Sequence, residues 1–333
     1  MTAKHFLAAS LVAATAALAG SGVAGARELV PQNNEVNFDV DATFAKHGRN
    51  ESDLNLAYTW YPAPLDRNDE VVPMLRRFVR QPLEIGGRLG RVTDVTDEVT
   101  GLYAFAQAWL IDRLYARAQA GLEYDRVTNE MSRLEDAFVS SNLRAEAGAR
   151  VLPLLQLGGF YGDRSALIGL PDTTLTGVRT ERSGQVQEFG GRLAFATPED
   201  RLMLDVSGGY RMTDWSFVGN QAGDITGRSM FGTFRASLQL SPTASIYFRA
   251  EASTTDWVNH RMGQQEFIDQ RPNGAGGNTR VDLRGDLGYI YWFEGRWGFR
   301  VSLGGGYFDK GPLFNQDFES GLARLGVGFT SRY

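Results

Sequence analysis

Met230-Phe231-Gly232-Thr233-Phe234-Arg235-Ala236-Ser237-Leu238-Gln239-Leu240 sorts into two faces when every second residue is taken. Met230, Gly232, Phe234, Ala236, Leu238 and Leu240 share one face; Phe231, Thr233, Arg235, Ser237 and Gln239 share the other. A helix would scatter these side chains around its surface, whereas an extended strand separates them cleanly. Around 114–126, Leu114, Ala116, Ala118, Ala120 and Leu122 oppose Arg117, Gln119, Gly121 and Glu123. Around 138–151, Leu143, Ala145, Ala147 and Ala149 oppose Arg144, Glu146, Gly148 and Arg150.

Reading outward from these segments predicts fourteen antiparallel strands, near 36–46, 52–61, 82–93, 99–110, 114–126, 138–151, 154–162, 185–196, 201–215, 228–240, 245–257, 279–292, 297–309 and 320–333, with twelve or sixteen as the alternatives. Strand four has no clear polar face, because Tyr103, Phe105 and Trp109 oppose Leu102, Ala104 and Leu110. Many of the strands are longer than the roughly 5–6 residues usual in globular sheets. They match the roughly 9–11 residues with which a tilted strand crosses a bilayer. Connections alternate between short ones, such as Asp112-Arg113 and Leu152-Pro153, and long ones near 127–137, 163–184, 216–227, 258–278 and 310–319. That asymmetry puts tight turns on one side of a membrane and long loops on the other. Aromatics gather at both strand ends: Trp60, Trp109, Phe195, Tyr291, Trp292, Trp297 and Tyr333 by the short turns, and Phe44, Tyr124, Tyr161, Tyr210, Trp215, Trp257 and Tyr307 by the long loops. Two such belts suit two lipid–water boundaries. The expected fold is an all-β, transmembrane, up-and-down antiparallel barrel.

Composition agrees. The formal net charge of −5 gives nucleic-acid binding no support, and the absence of cysteine excludes disulfides and thiolate metal sites. A hydrophobic content of 43% and a mean hydropathy of −0.26 suit strands apolar on one face only. No metal or other cofactor is expected. Residues 1–26 read as a cleaved signal peptide: Lys4 and His5, an apolar run from Phe6 to Ala19, then the small-residue site Ala24-Gly25-Ala26. Residues 27–333 then form a single barrel domain.

The C-terminal residues Ala323 to Tyr333 resemble the terminal signal of Gram-negative outer-membrane β-barrel proteins. Tyr333 is the terminal aromatic, with Phe329, Val327 and Leu325 at alternate positions before it; Ser331 stands where many members carry an apolar residue. The resemblance implies an outer-membrane location, surrounding lipid and lipopolysaccharide, and recognition of this strand by the barrel-assembly machinery. The overall plan resembles a porin-like channel.

In that frame the polar face lines a lumen. The register turns inward Arg117, Arg144, Arg150, Arg192, Arg211, Arg235, Arg249, Arg284, Arg300 and Arg324, with Glu146, Asp205, Glu251, Asp282 and Asp286 as pore-lining acids and Glu123 beside them. Ten cations against six anions give a wall of about +4 and a mild anion preference. Inward glycines, among them Gly121, Gly148, Gly209, Gly288, Gly304, Gly306, Gly326 and Gly328, are expected to leave space. Fourteen strands imply a backbone diameter of roughly 28 Å. The competing reading is that the charges pair, as Arg144 with Glu146 or Arg249 with Glu251, and fill a narrow barrel. Passive passage of small polar solutes is the leading function, a structural or adhesive barrel binding a partner through its loops the second, and a rim hydrolase the third. Only His47 and His260 remain in the mature chain as histidine bases, and no nucleophile elbow or phosphate loop is present, so no catalytic residue is assigned.

Pro62 to Gln81 interrupts the pattern with a long link on the short-turn side. Pro73 is placed to open a short helix carrying Arg76, Arg77 and Arg80, a candidate constriction; an ordinary periplasmic loop is the alternative. If the segment narrows the pore, deleting Met74 to Arg80 raises single-channel conductance, and an unchanged conductance defeats the constriction.

Overall fold

The alternation read from the sequence becomes a set of hydrogen-bonded ladders. The computed structural model describes residues 32–45, 51–65, 83–93, 97–111, 113–129, 134–169, 182–197, 201–217, 223–241, 243–261, 264–267, 279–293, 296–309 and 319–333. Among these are fifteen strands: β1 (Gln32–Ala45), β2 (Glu51–Leu65), β3 (Leu83–Thr93), β4 (Asp97–Ile111), β5 (Leu114–Asn129), β6 (Leu134–Leu152), β7 (Leu155–Gly169), β8 (Arg182–Ala196), β9 (Leu202–Phe217), β10 (Gly223–Ser241), β11 (Ala244–Arg261), β12 (Gln264–Phe267), β13 (Thr279–Phe293), β14 (Trp297–Asp309) and β15 (Glu319–Arg332). Each pairs antiparallel with its sequence neighbour, except that β11 pairs with β13 as well as with the four-residue β12. β1 pairs with β15 and β10 with β11, so fourteen strands run round a closed ring. Closure leaves the fourteen-strand ring itself without an edge, as a lipid environment demands; among the described strands only the short β12, outside the ring, is paired on one side alone.

Contacts between strands that are not neighbours fix which face is the inside, because only the concave side brings them together. Arg192 on β8 donates to the Tyr115 hydroxyl on β5 at 3.2 Å, and Arg249 on β11 lies 3.7 Å from Asp41 on β1. Arg235 shares that inward face, and Met230 points out. Leu102, Met230 and Leu303 on the outer face are 66–68% exposed, as a lipid-facing band requires. On β4 the exposed Leu102, Ala104 and Ala106 face out, while Gly101, Tyr103 and Gln107 are buried inside, which resolves its register.

Several details depart from the sequence reading. β5 runs to Asn129 and β6 starts at Leu134; β9 ends at Phe217 and β10 starts at Gly223, so two expected loops are largely strand. Backbone pairing there continues where the apolar alternation that revealed it has ended. β12 lies inside the expected loop 258–278. Trp292, expected in an outer belt, is turned inward and buried, with the Arg332 guanidinium 4.3 Å over its ring. Trp60, Tyr291, Trp297 and Tyr333 at one end and Tyr124, Tyr161 and Tyr307 at the other are exposed on the outer face. The signal segment 1–26, His47, the stretch 66–82 with Arg76, Arg77 and Arg80, and the side chains of Trp109, Trp215, Trp257 and His260 lie outside the described residues.

The seam between the first and last strands is held by side chains as well as backbone. Arg332 donates to Glu35 at 3.1 Å, with side chains 3% and 0% exposed, and Thr330 donates to Asn37 at 2.6 Å. On the outer side of β15, Phe329 stacks on Trp297 with centroids 5.4 Å apart. Removing one partner of a buried ion pair strands the other charge. Glu35→Ala should therefore lower stability against urea in lipid vesicles by about 3–5 kcal/mol, read from the unfolding midpoint.

Candidate functional site

The inner wall holds all fifteen residues expected to line the lumen: Arg117, Arg144, Glu146, Arg150, Arg192, Asp205, Arg211, Arg235, Arg249, Glu251, Asp282, Arg284, Asp286, Arg300 and Arg324 alternate with outward residues on β5, β6, β8, β9, β10, β11, β13, β14 and β15. The register also turns inward charges that the sequence reading missed: Glu35, Asp39 and Asp41 on β1, Asp53 on β2, Arg164 on β7, Glu188 on β8 and Arg332 on β15. With Glu123, the inner wall among the described side chains carries twelve arginines and eleven acids. The net charge is about +1 instead of +4, so the wall's balance gives no basis for an anion preference. The missed acids sit mainly on β1 and β2, whose short alternating runs beside the unclear third and fourth strands were the least legible part of the sequence.

The inward glycines do not leave space; they are seats for other side chains. Arg144 on β6 and Glu188 on β8 flank Gly162 of β7 in register, and the two charges meet across it in an ion pair. A Cβ on Gly162 would lie 2.8 Å from Glu188 Cγ. Arg300 on β14 and Asp39 on β1 flank Gly328 of β15 in the same way, and pair at 3.1 Å. Gly148 and Gly158 stand in one row between Tyr115 and Arg192. Gly190 and Gly209 stand between Phe160 and Phe231, whose rings meet at 6.0 Å. Neighbouring strands are about 4.8 Å apart, so a glycine on the strand between them shortens the route by which partners two strands away meet. Gly121 lies under Tyr103, and Gly288 under Tyr247.

This geometry also corrects the expected pairings. Arg144 pairs with Glu188 instead of Glu146, and Arg249 pairs with Asp286 at 2.7 Å instead of Glu251. Residues two apart on a strand are nearly 7 Å apart, farther than cross-strand neighbours. The expected contact between Asp282 and Arg284 does form, at 2.8 Å.

Four networks result. Arg192 binds Asp205 through Nε and Nη2, at 2.8–3.1 Å, and Glu146 at 2.9 Å; the side chains of Arg192 and Glu146 are each 1% exposed. Glu188 receives both Arg144 and Arg211, whose guanidiniums lie 4.4 and 5.0 Å over the Phe160 and Phe231 rings. Arg249 and Arg300 reach Asp41 and Asp39 on β1, while Tyr103 and Asn142 donate to Glu123 at 2.6 and 2.7 Å. Bordered by two of these networks, the ring encloses a cavity of about 330 Å³, lined by Asp41, Asp53, Arg211, Arg249, Glu251 and Arg324 among others. Asp53 on β2 and Arg211 on β9 are seven strands apart in either direction round the ring, so the cavity spans the lumen from wall to wall. Among the described residues no group of three or more metal-ligating side chains is gathered.

No family model matches the sequence, and no curated protein matches it. The fold is similar to solved Gram-negative outer-membrane β-barrel proteins. An outer-membrane channel from Pseudomonas putida F1 is 13% identical with a TM-score of 0.48, covering 93% of this chain and 99% of that one. OmpT of Vibrio cholerae is 10% identical with a TM-score of 0.45, covering 92% and 99%. The translocator domain of the autotransporter NalP from Neisseria meningitidis is 15% identical with a TM-score of 0.42, covering 99% and 96%. The chain is an outer-membrane-type β-barrel on its own geometry: a closed ring, an apolar outer band and aromatic belts at both rims.

If Gly328 is the seat across which Arg300 and Asp39 pair, Gly328→Val forces them apart and should cost about 1–3 kcal/mol in urea unfolding. Gly321→Ala, whose added Cβ meets nothing within 4 Å, is the control and should stay within about 0.5 kcal/mol of the parent.

Proposed function

We propose that this barrel is a channel for the passive passage of small polar solutes across the outer membrane. The observation that carries the reading is the polar cavity that spans the lumen between β2 and β9. Its lining of charged groups and of the hydroxyls of Thr43, Ser52, Thr233 and Ser253 suits hydrated solutes and repels apolar ones. Around it the wall charges are drawn into ion pairs with one another, as Arg211 with Glu188 and Arg249 with Asp286. The lining charges are arginines and carboxylates, and arginine holds its charge throughout the physiological range. On this reading residues 1–26 direct export, Tyr333, Phe329, Val327 and Leu325 present the outer face of β15 to the assembly machinery, and lipid and lipopolysaccharide surround the rim.

A second reading has an observation of its own. The Arg192, Glu146 and Asp205 network is almost wholly buried, as it would be in a barrel sealed by its own side chains that serves a structural or adhesive role through its loops. Planar-bilayer recording separates the two: a channel gives stepwise ion conductance, and a sealed barrel stays silent. With a nearly balanced wall, the reversal potential in a potassium chloride gradient should indicate a permeability ratio within about twofold of unity. A strong preference for either ion would contradict the balanced-wall account.

A further inference from the structure

The lumenal cavity has eight charged residues in its lining, four arginines (Arg211, Arg249, Arg284 and Arg324) and four acids (Asp41, Asp53, Glu251 and Asp282). Most of these are committed. Arg211 is held by Glu188, Arg249 by Asp286 and Asp41, and Arg284 by Asp282. Two stand apart. Glu251 on β11 and Arg324 on β15 make no hydrogen bond or ion pair among the described residues, and the Nε of Arg324 is buried without a partner. A buried donor left unmatched is costly, and it marks a place where a ligand atom would be favourable.

We infer that this cavity is a binding site for small zwitterionic solutes, with the carboxylate of the solute received by Arg324 and its ammonium group by Glu251. The inference deepens the channel reading by naming the solute class, and rests on that reading for access to the lumen. Three strand spacings separate β11 from β15 along the wall, with β13 and β14 between them. The open anion and cation are therefore offered from different parts of the wall, and one compact charged group does not satisfy both. The balance of the lining acts in the same direction. A purely anionic or cationic solute meets as many repelling groups as attracting ones, while a solute carrying both charges can align with the uncommitted pair. Arg324 owes its open position to its surroundings: its in-register neighbours Gly304 on β14 and Thr43 on β1 are uncharged, and Asp286, the acid across Gly304, is bound by Arg249.

The test compares three probes of equal carbon number, γ-aminobutyrate, butyrate and butylammonium, by saturation-transfer NMR on the full mature chain refolded in detergent micelles. γ-Aminobutyrate should bind most tightly. Glu251→Gln and Arg324→Gln should each weaken it about tenfold, the value of one charge-assisted hydrogen bond. Neither residue takes part in the ion-pair networks, and retained heat-modifiable migration on gels reports folding. Butyrate or butylammonium binding as tightly as γ-aminobutyrate in the parent protein overturns the inference without any variant. So does unchanged γ-aminobutyrate affinity in both folded variants. Bilayer recordings on the same preparation keep the two readings apart: silent membranes with binding intact defeat the channel alone, and open channels with no zwitterion preference defeat this site alone.

Discussion

Every peptide group that enters a bilayer must find its partner within the protein, and this chain meets that demand by joining its two ends. The pairing of β1 with β15 turns fourteen strands into a ring without an edge. All else follows from that closure. It gives the sheet a convex side that must please lipid and a concave side that need not, so alternate residues are free to diverge in chemistry. It also brings side chains from distant strands face to face, which a flat sheet cannot do. The seam carries its own fastening in Glu35, Arg332, Asn37 and Thr330, placed where loss of pairing would open the whole structure.

The interior is organised by glycine. In a ring of this size, charged side chains would be expected either to reach toward the centre or to pair only with immediate neighbours. Here some pair with the strand beside them, as Arg211 with Glu188 and Arg249 with Asp286, and others reach past it. Rows such as Arg144, Gly162 and Glu188, or Arg300, Gly328 and Asp39, let ions on alternate strands pair while lying along the wall. Aromatic rings use the same device, with Tyr103, Tyr115 and Tyr247 lying over glycines. The wall is thereby cross-linked. Cross-linking holds the side chains that border the cavity in a fixed arrangement.

Much of this was legible in the sequence. Period-two alternation located the strands and separated the two faces, because a bilayer imposes that period on the chain. Turn lengths set the two rims of the ring apart. What the sequence concealed depends on neighbours in space. An inward glycine in a string of residues looks like an empty position; only the register shows Tyr115 or Phe160 filling it. Arg144 looks paired with Glu146, two residues away, until Gly162 is found to open a shorter route to Glu188. Trp292 belongs by position to a rim of aromatics, but the alternation of β13 turns it inward toward Arg332. That Glu251 and Arg324 are left without a bond among the described residues is likewise invisible in one dimension, since it depends on Arg284 and Asp286 being taken by other partners.

Gly159, Gly191, Gly208 and Gly232 form an in-register row on the outer face of β7 to β10, beside the inner-face row of Gly190 and Gly209. Over this short span the barrel is bare backbone on the outside, while inside the Phe160 and Phe231 rings lie over the two glycines. A sheet stripped of side chains bends at less cost than one stiffened by interlocked branches. Lateral squeezing by the surrounding membrane would therefore be taken up first along this line, as a crease, sparing the rigid charged sectors on either side. Because the row crosses from β7 to β10, such a crease would bend four neighbouring strands together at one level and leave their pairing intact.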